Sequence, residues 1–401
     1  MSDAPIKLPV DLRAWQTAVE NYDLIGKTVH TAQLASGSKM TYAQFLLLRI
    51  LWKTHLGMRL FRPPPVLEPY LVQADKLLAG SQSWKKYCSS IEEGQIPGGS
   101  FAIARYYQVK AANNKEHMRP DSFDTPVSKH HTRGNTRRKL EEEFRKVQIN
   151  ITPSKRPTIV SRTPEQKEHD GDDDGDNDSV ILEGSDVSEE SEVPSIPVTP
   201  AALVPEELHQ LMFPPTRDEQ IVNTALVVFL NSLTIHFDAI TRCDWTLHRK
   251  AFVAQFEAAQ YEARTDGYLD DGKENPWGII EVKPITRALF RQSRFQIQEG
   301  CQMSGWIKED TDAPLDKLRC HISQNRHEIF ITIAEYDSGY VSYLRKKPAA
   351  GEPPSFLTMH QYGPWNTQDA GHMKKLGPIL LALTLYAESE VKKAEMTQSS
   401  E

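Results

Sequence analysis

The sequence predicts a mixed α/β (α+β) fold: helix, three strands, helix, strand, preceded by a helical segment and a long polar linker. Three observations predict it. Apolar residues recur at helical spacing after Thr216 and Asp218. Short β-rich runs bounded by Gly, Asn and Pro follow between 250 and 283. Residues 112–204 are poor in aromatics and rich in Pro, Ser, Thr and charge. Periodicity separates helix from strand, and that third composition cannot bury enough apolar surface to offset the entropy of ordering.

Residues 1–111 read as a helical module. Thr41 is a cap for an apolar run from Phe45 to Leu60, stopped by Arg62-Pro63-Pro64-Pro65, because proline lacks the amide a helix needs. Further helices are expected from Pro69 to Leu78 and from Gln82 to Ile91. Residues 112–204 are expected to be a disordered linker. Its basic stretch, Lys129 to Lys139, fits contact with nucleic acid or a transport receptor, and fits a solvated charge run equally. Residues 163–193 hold thirteen acidic residues and one lysine. The whole-chain charge of −7 therefore leaves the remainder near +5, which permits a nucleic-acid partner. Within the acid block, Val180, Ile181 and Leu182 resemble a SUMO-interacting motif, in which a short apolar strand extends a partner's sheet. A chance apolar triplet is the competing reading.

The third segment, 205–395 with a short tail at 396–401, carries the expected chemistry. A helix from Asp218 to about Ile235 buries Ile221, Ala225, Val228, Phe229 and Leu233. Strands are expected at 250–256, 261–269 and 277–283, then a helix from Phe290 to Lys308. Glu328–Tyr336, with Tyr340–Leu344, is expected to give one or two further strands, and Phe356–His360 a short one, before a closing helix from Gln368 to Lys393 that kinks near Gly377-Pro378.

In the apolar strand Trp277 to Pro284, Glu281 and Lys283 stand two positions apart and so share a face. Burying two charges there is costly unless they pair or line a site. A hairpin across 270–276 brings Asp266 to Glu281, and two converging carboxylates suit a hard divalent cation. On the following helix, Arg291, Arg294, Gln298 and Gln302 fall on one face. That face suits a phosphodiester backbone, or is a solvated polar stripe.

Asp266, a spacer, then Glu281-Val282-Lys283 before a helix resembles the PD-(D/E)xK nuclease superfamily, in the branch seen in fungal proteins. The order Trp245 to Phe252, Tyr261 to Leu269, Gln298-Glu299, Trp306-Ile307 and Ile322 to Thr332 also resembles that branch. Thr265 departs from the proline of the superfamily name. The resemblance covers residues 205–390 and implies a metal-dependent nuclease acting on DNA or RNA. Asp266 and Glu281 would hold Mg²⁺ or Mn²⁺, Lys283 would position the attacking water and offset developing charge, and Gln298 would orient the lysine or the water. Glu219 would support the metal, or is simply an acid favoured in a helix's first turn. A catalytically silent binding fold recruited through its linker, and a plain Glu281–Lys283 salt bridge, are the other readings.

Four scattered cysteines with no CxxC fit reduced thiols rather than a zinc site. The N-terminus lacks a signal-like apolar region, and no run reaches membrane-spanning length. An intracellular location is expected, the nucleus favoured over the cytoplasm.

Overall fold

Capping residues and one left-handed turn set the N-terminal elements. The computed structural model describes residues 6–32, 34–35, 39–57, 61–113, 218–287, 292–310, 314–346 and 353–398. Asp11 caps α1 (Leu12–Asn21) by accepting from the Ala14 amide. Thr41 and Gln44 form a reciprocal capping box on α2 (Tyr42–Leu47). The expected helix over 45–60 stops there. Arg49 adopts φ 54° and the chain turns into β1 (Ile50–Leu56). Its partner is remote in sequence: β1 pairs in parallel with residues 357–363. Trp52 also donates its amide to the Pro9 carbonyl at 2.8 Å. A ladder to a distant strand outweighs the local helical pattern, which sequence periodicity cannot foresee. Helices α3 (Glu68–Gly80), α4 (Gln82–Glu92) and α5 (Ala102–Asn113) follow, the first two where expected.

Asp218 caps α6 (Glu219–Thr234) through the Gln220 amide at 2.8 Å. Then come β2 (Asp244–Thr246), β3 (Ala251–Gln255), β4 (Gln260–Arg264), β5 (Gly267–Asp270) and β6 (Pro276–Lys283). The expected strand 261–269 is two strands. The chain leaves the β3–β4 hairpin at Thr265 and Asp266 and enters the main sheet at Gly267. Next are α7 (Gln292–Glu309), β7 (Cys320–Asn325) and β8 (Glu328–Glu335). Tyr340–Leu344, expected as a strand, lies inside α8 (Ser338–Arg345). Asp337 caps that helix by accepting from the Tyr340 amide at 2.8 Å, a local bond that a strand would forgo. β9 (Leu357–Asn366) is longer than expected, and α9 (Ala370–Gln398) runs through Pro378.

The seven-stranded sheet has the order β1-β9-β8-β7-β6-β5-β2. β1–β9 and β6–β7 pair in parallel, and the other neighbours are antiparallel. Its two faces carry separate cores. Ile280, Val282, Ile322, Ile329 and Ile331 pack with α3, α4, α5, α6 and α9 on one side. Ile279, Tyr268, Met359 and Trp52 pack with α2, α7, α8 and the β3–β4 hairpin on the other. Each fully buried Ile, Leu or Phe contributes about 1.5–3 kcal/mol, so these layers hold the strand ends in place. The expected boundary between an N-terminal module and a domain starting at 205 is replaced by a shared sheet. β1 is its edge strand, and α5 packs against α6 within one compact unit. The linker at 112–204, apart from Ala112 and Asn113 in α5, and the Val180-Ile181-Leu182 motif lie outside the described residues. Among the described residues no helix is long and apolar enough to cross a membrane.

Candidate metal centre

Strand alternation puts Glu281 and Lys283 on the α7 face of β6, at the strand's C-terminal end. Asp266 lies where the chain enters β5, opposite them. Its amide donates to the Ile280 carbonyl at 2.9 Å, and its Oδ2 accepts the Val282 amide at 3.1 Å. The carboxylate is thus clamped across the hairpin. Gly267, next in sequence, admits no side chain, since a Cβ there would stand 2.5 Å from the Thr246 carbonyl oxygen. From the opposite layer, Asn223 of α6 donates to the Asp266 carbonyl at 3.0 Å. Glu219, in the first turn of that helix, completes a triad. Glu219, Asp266 and Glu281 each offer an oxygen, all within 4.8 Å of one another.

Four side chains grip the triad. Lys283 Nζ donates to Glu281 Oε1 at 2.5 Å and to Glu219 Oε1 at 3.1 Å. Gln298 and Gln302, one turn apart on α7, donate to Glu281 Oε1 at 2.6 Å and Oε2 at 2.5 Å. Arg249, from the loop before β3, places Nη2 3.2 Å from Asp266 Oδ1. Gln302 also donates to the Arg264 carbonyl at 2.7 Å, so its oxygen must face His321 Nε2, 2.9 Å away. Burial, helped by the charges of Arg287 and Lys283, holds His321 down at about 4. It is therefore neutral at pH 7, with its proton on Nε2. The Gln302 amide, with acceptors at Arg264 and Glu281 on its nitrogen side, thus turns its donor toward Glu281.

Burial, and then the charge of Asp266, push Glu281 up to about 8 although Lys283 opposes them. Burial also raises Glu219. For Lys283, burial works against the charge, but Glu281, Glu219 and Asp266 outweigh it and the group is raised. Three carboxylates against Lys283 and Arg249 leave one negative charge in excess when all are ionised. An all-oxygen donor set with surplus negative charge fits a hard divalent cation. The cluster can hold a metal ion.

The structure therefore brings Asp266, Glu281, Lys283, Gln298, Gln302 and Glu219 together, as the sequence pattern implies. Arg294 stands exposed one turn ahead of Gln298. Arg291 lies outside the described residues. Sequence reasoning missed Arg249, Asn223 and His321. Arg249 had one signal: it lies in the Trp245–Phe252 stretch that precedes the hairpin.

A second polar cluster lies on the same face, under the middle of α7. Arg287 and Glu299 form a two-pronged pair with side chains only 1% exposed. Arg287 also donates to Asn325 Oδ1 at 3.2 Å, Ser323 Oγ at 2.9 Å and Gln361 Oε1 at 3.0 Å. Its guanidinium lies over the Phe330 ring at 4.3 Å.

Comparison with known proteins adds no identity: neither a family model, nor a curated protein, nor a solved structure matches the chain.

Proposed function

We propose that the chain is a metal-dependent phosphodiesterase of PD-(D/E)xK type, acting on DNA or RNA. The observation that carries this is the convergence of Glu219, Asp266 and Glu281 on one point, with Lys283 bonded to two of them. The order α6, the hairpin strands, β5, β6, α7, β7, with β6 and β7 parallel about the intervening helix, supports the same core. Asp266 and Glu281, backed by Glu219, would hold Mg²⁺ or Mn²⁺. A cation bound there supplies Lewis-acid polarisation and a more acidic water. Lys283 Nζ holds a position from which it orients a water and offsets charge developing on the phosphoryl oxygens. Gln298 keeps Glu281 turned toward that point.

A second reading, a silent nuclease fold used for binding and recruited through its linker, possible partners including SUMO, is favoured by one observation. Lys283 and Arg249 already occupy the carboxylates, and Glu281 is 3% exposed. A cleavage assay with Mg²⁺ or Mn²⁺ on DNA and RNA separates the two. Wild type should cut and Lys283→Ala should lose at least about 100-fold in rate, the cost of removing one group that stabilises developing charge. Equal rates in both chains would sink the nuclease reading, and absence of cutting with either metal would favour the silent fold.

A further inference from the structure

Arg249 sits at the mouth of the cluster, and its surroundings differ from those of Lys283. Its side chain is 39% exposed, against 18% for Lys283 and 10% for Asp266. The backbone beside it is pinned on both sides. Upstream, the His248 amide donates to Thr246 Oγ1 at 3.1 Å. Downstream, the Lys250 amide donates to Thr265 Oγ1 at 3.2 Å, and the Thr265 amide donates to the Lys250 carbonyl at 2.9 Å. Lys250 Nζ reaches the Glu274 carbonyl at 2.8 Å. Proline at 265 would supply neither the amide nor the hydroxyl. The threonine that departs from the superfamily pattern is therefore what anchors this loop beside Asp266. With its backbone fixed, a long exposed side chain is the part left to move.

Asp266 has two oxygens with different commitments. Oδ2 accepts the Val282 amide from within the sheet, and Oδ1 takes the Arg249 guanidinium. Oδ1 is the oxygen whose partner can leave. A guanidinium and a divalent cation on one carboxylate repel each other, so each weakens the other's hold. Once off Asp266, the planar fork of arginine matches two oxygens of a phosphate.

On the nuclease reading, we propose that Arg249 is an exchangeable guard: it covers Asp266 in the metal-free protein, yields to the cation, and then grips a phosphodiester of the bound strand. Metal and nucleic acid are then coupled through one side chain. The metal frees the arginine that the strand needs, and the strand, by holding the arginine away, strengthens metal binding.

The test measures Mn²⁺ binding by calorimetry, and the affinity for phosphorothioate-linked DNA and RNA strands, which resist cutting, with and without Mn²⁺. Arg249→Gln should bind Mn²⁺ about fivefold more tightly, at the low end of ordinary coupling between sites, because the guard is partly solvated. It should also lose most of the Mn²⁺-dependent gain in strand affinity. Arg249→Lys keeps the charge without the fork, so it should bind Mn²⁺ like wild type yet grip the strand weakly. If wild type and Arg249→Gln bind Mn²⁺ equally, the guard is wrong and the nuclease reading stands. If Mn²⁺ binding tightens but strand affinity is unaltered, the phosphate grip is wrong. If neither chain binds Mn²⁺, the guard and the nuclease reading fall together.

Discussion

Two charged clusters share the α7 face of the sheet, and they solve the burial of charge differently. Arg287 and Glu299 are one cation and one anion, sealed from water and bonded to Ser323, Asn325 and Gln361. Burying ions is expensive, and this pair meets the cost by matching charge and hydrogen bonds. The Glu219–Asp266–Glu281 cluster carries one carboxylate more than its cations, keeps Lys283 and Glu219 partly exposed, and leaves Glu281 raised. A neutral, closed cluster is already complete. A cluster with one acid more than its cations can take up a metal ion.

This contrast breaks if both clusters respond alike to loss of a charge. Glu299→Ala strands a buried guanidinium and should cost about 3–5 kcal/mol in denaturant unfolding, the usual penalty for breaking a buried pair. Glu281→Gln keeps shape and removes an acid that a cation would ionise and bind. It should leave stability within about 1 kcal/mol of wild type while weakening Mn²⁺ binding at least about tenfold. Equal destabilisation by the two would make the carboxylate cluster one more structural pair.

Glu388 sharpens the comparison, as a buried carboxylate with donors rather than acids around it. It accepts the amides of Thr241, Arg242 and Cys243 at 3.0, 2.9 and 2.9 Å, and Lys392 lies 2.8 Å away. Burial alone would raise it, but Lys392 and the three amides outweigh burial and hold it at about 2. Its folded value is depressed, so its contribution is present above the ordinary 4.5 and disappears as pH falls from there toward about 2. Thermal melts over that range should fall steeply for wild type and less steeply for Glu388→Gln. Matching slopes would show that this carboxylate does not anchor the loop. The smallest effect belongs to an exposed pair: Lys374→Ala removes the 2.8 Å contact with Glu92, whose side chains are 53% and 60% exposed. The change in stability should stay under about 0.5 kcal/mol, and a larger one would mean that exposure is a poor guide to what charge does here.

Much of the centre was legible because it is local. The turn at 270–276 forces Asp266 toward Glu281, alternation puts Lys283 beside Glu281, and a one-turn spacing puts Gln298 and Gln302 together. Asp218 announced α6, and with it the place of Glu219. What stayed hidden depends on distant partners. The apolar run through Trp52 reads as helix until β9 is known, and the Arg287–Glu299 pair follows no sequence period. Arg249 reaches Asp266 from a loop that Thr265 ties down. Tyr340–Leu344 misled for another reason: its β-forming Tyr and Val suit a strand, yet Tyr340 and Tyr343 stand at helical spacing and the Asp337 cap commits the backbone to a helix.

The pairing of β1 with β9 also bears on how the chain is born. Ile50 meets Leu357, and Trp52 donates its indole to Gln361 at 2.9 Å. The Tyr343 hydroxyl donates to the Leu47 carbonyl at 2.6 Å. At about 5–20 residues per second, β1 leaves the ribosome roughly 15–60 s before its partner exists. Through that interval the apolar stretch from Phe45 to Trp52 is without the strand it pairs with. β1 can be stitched in only after β9 has been made, and a version begun at residue 205 would be made without it.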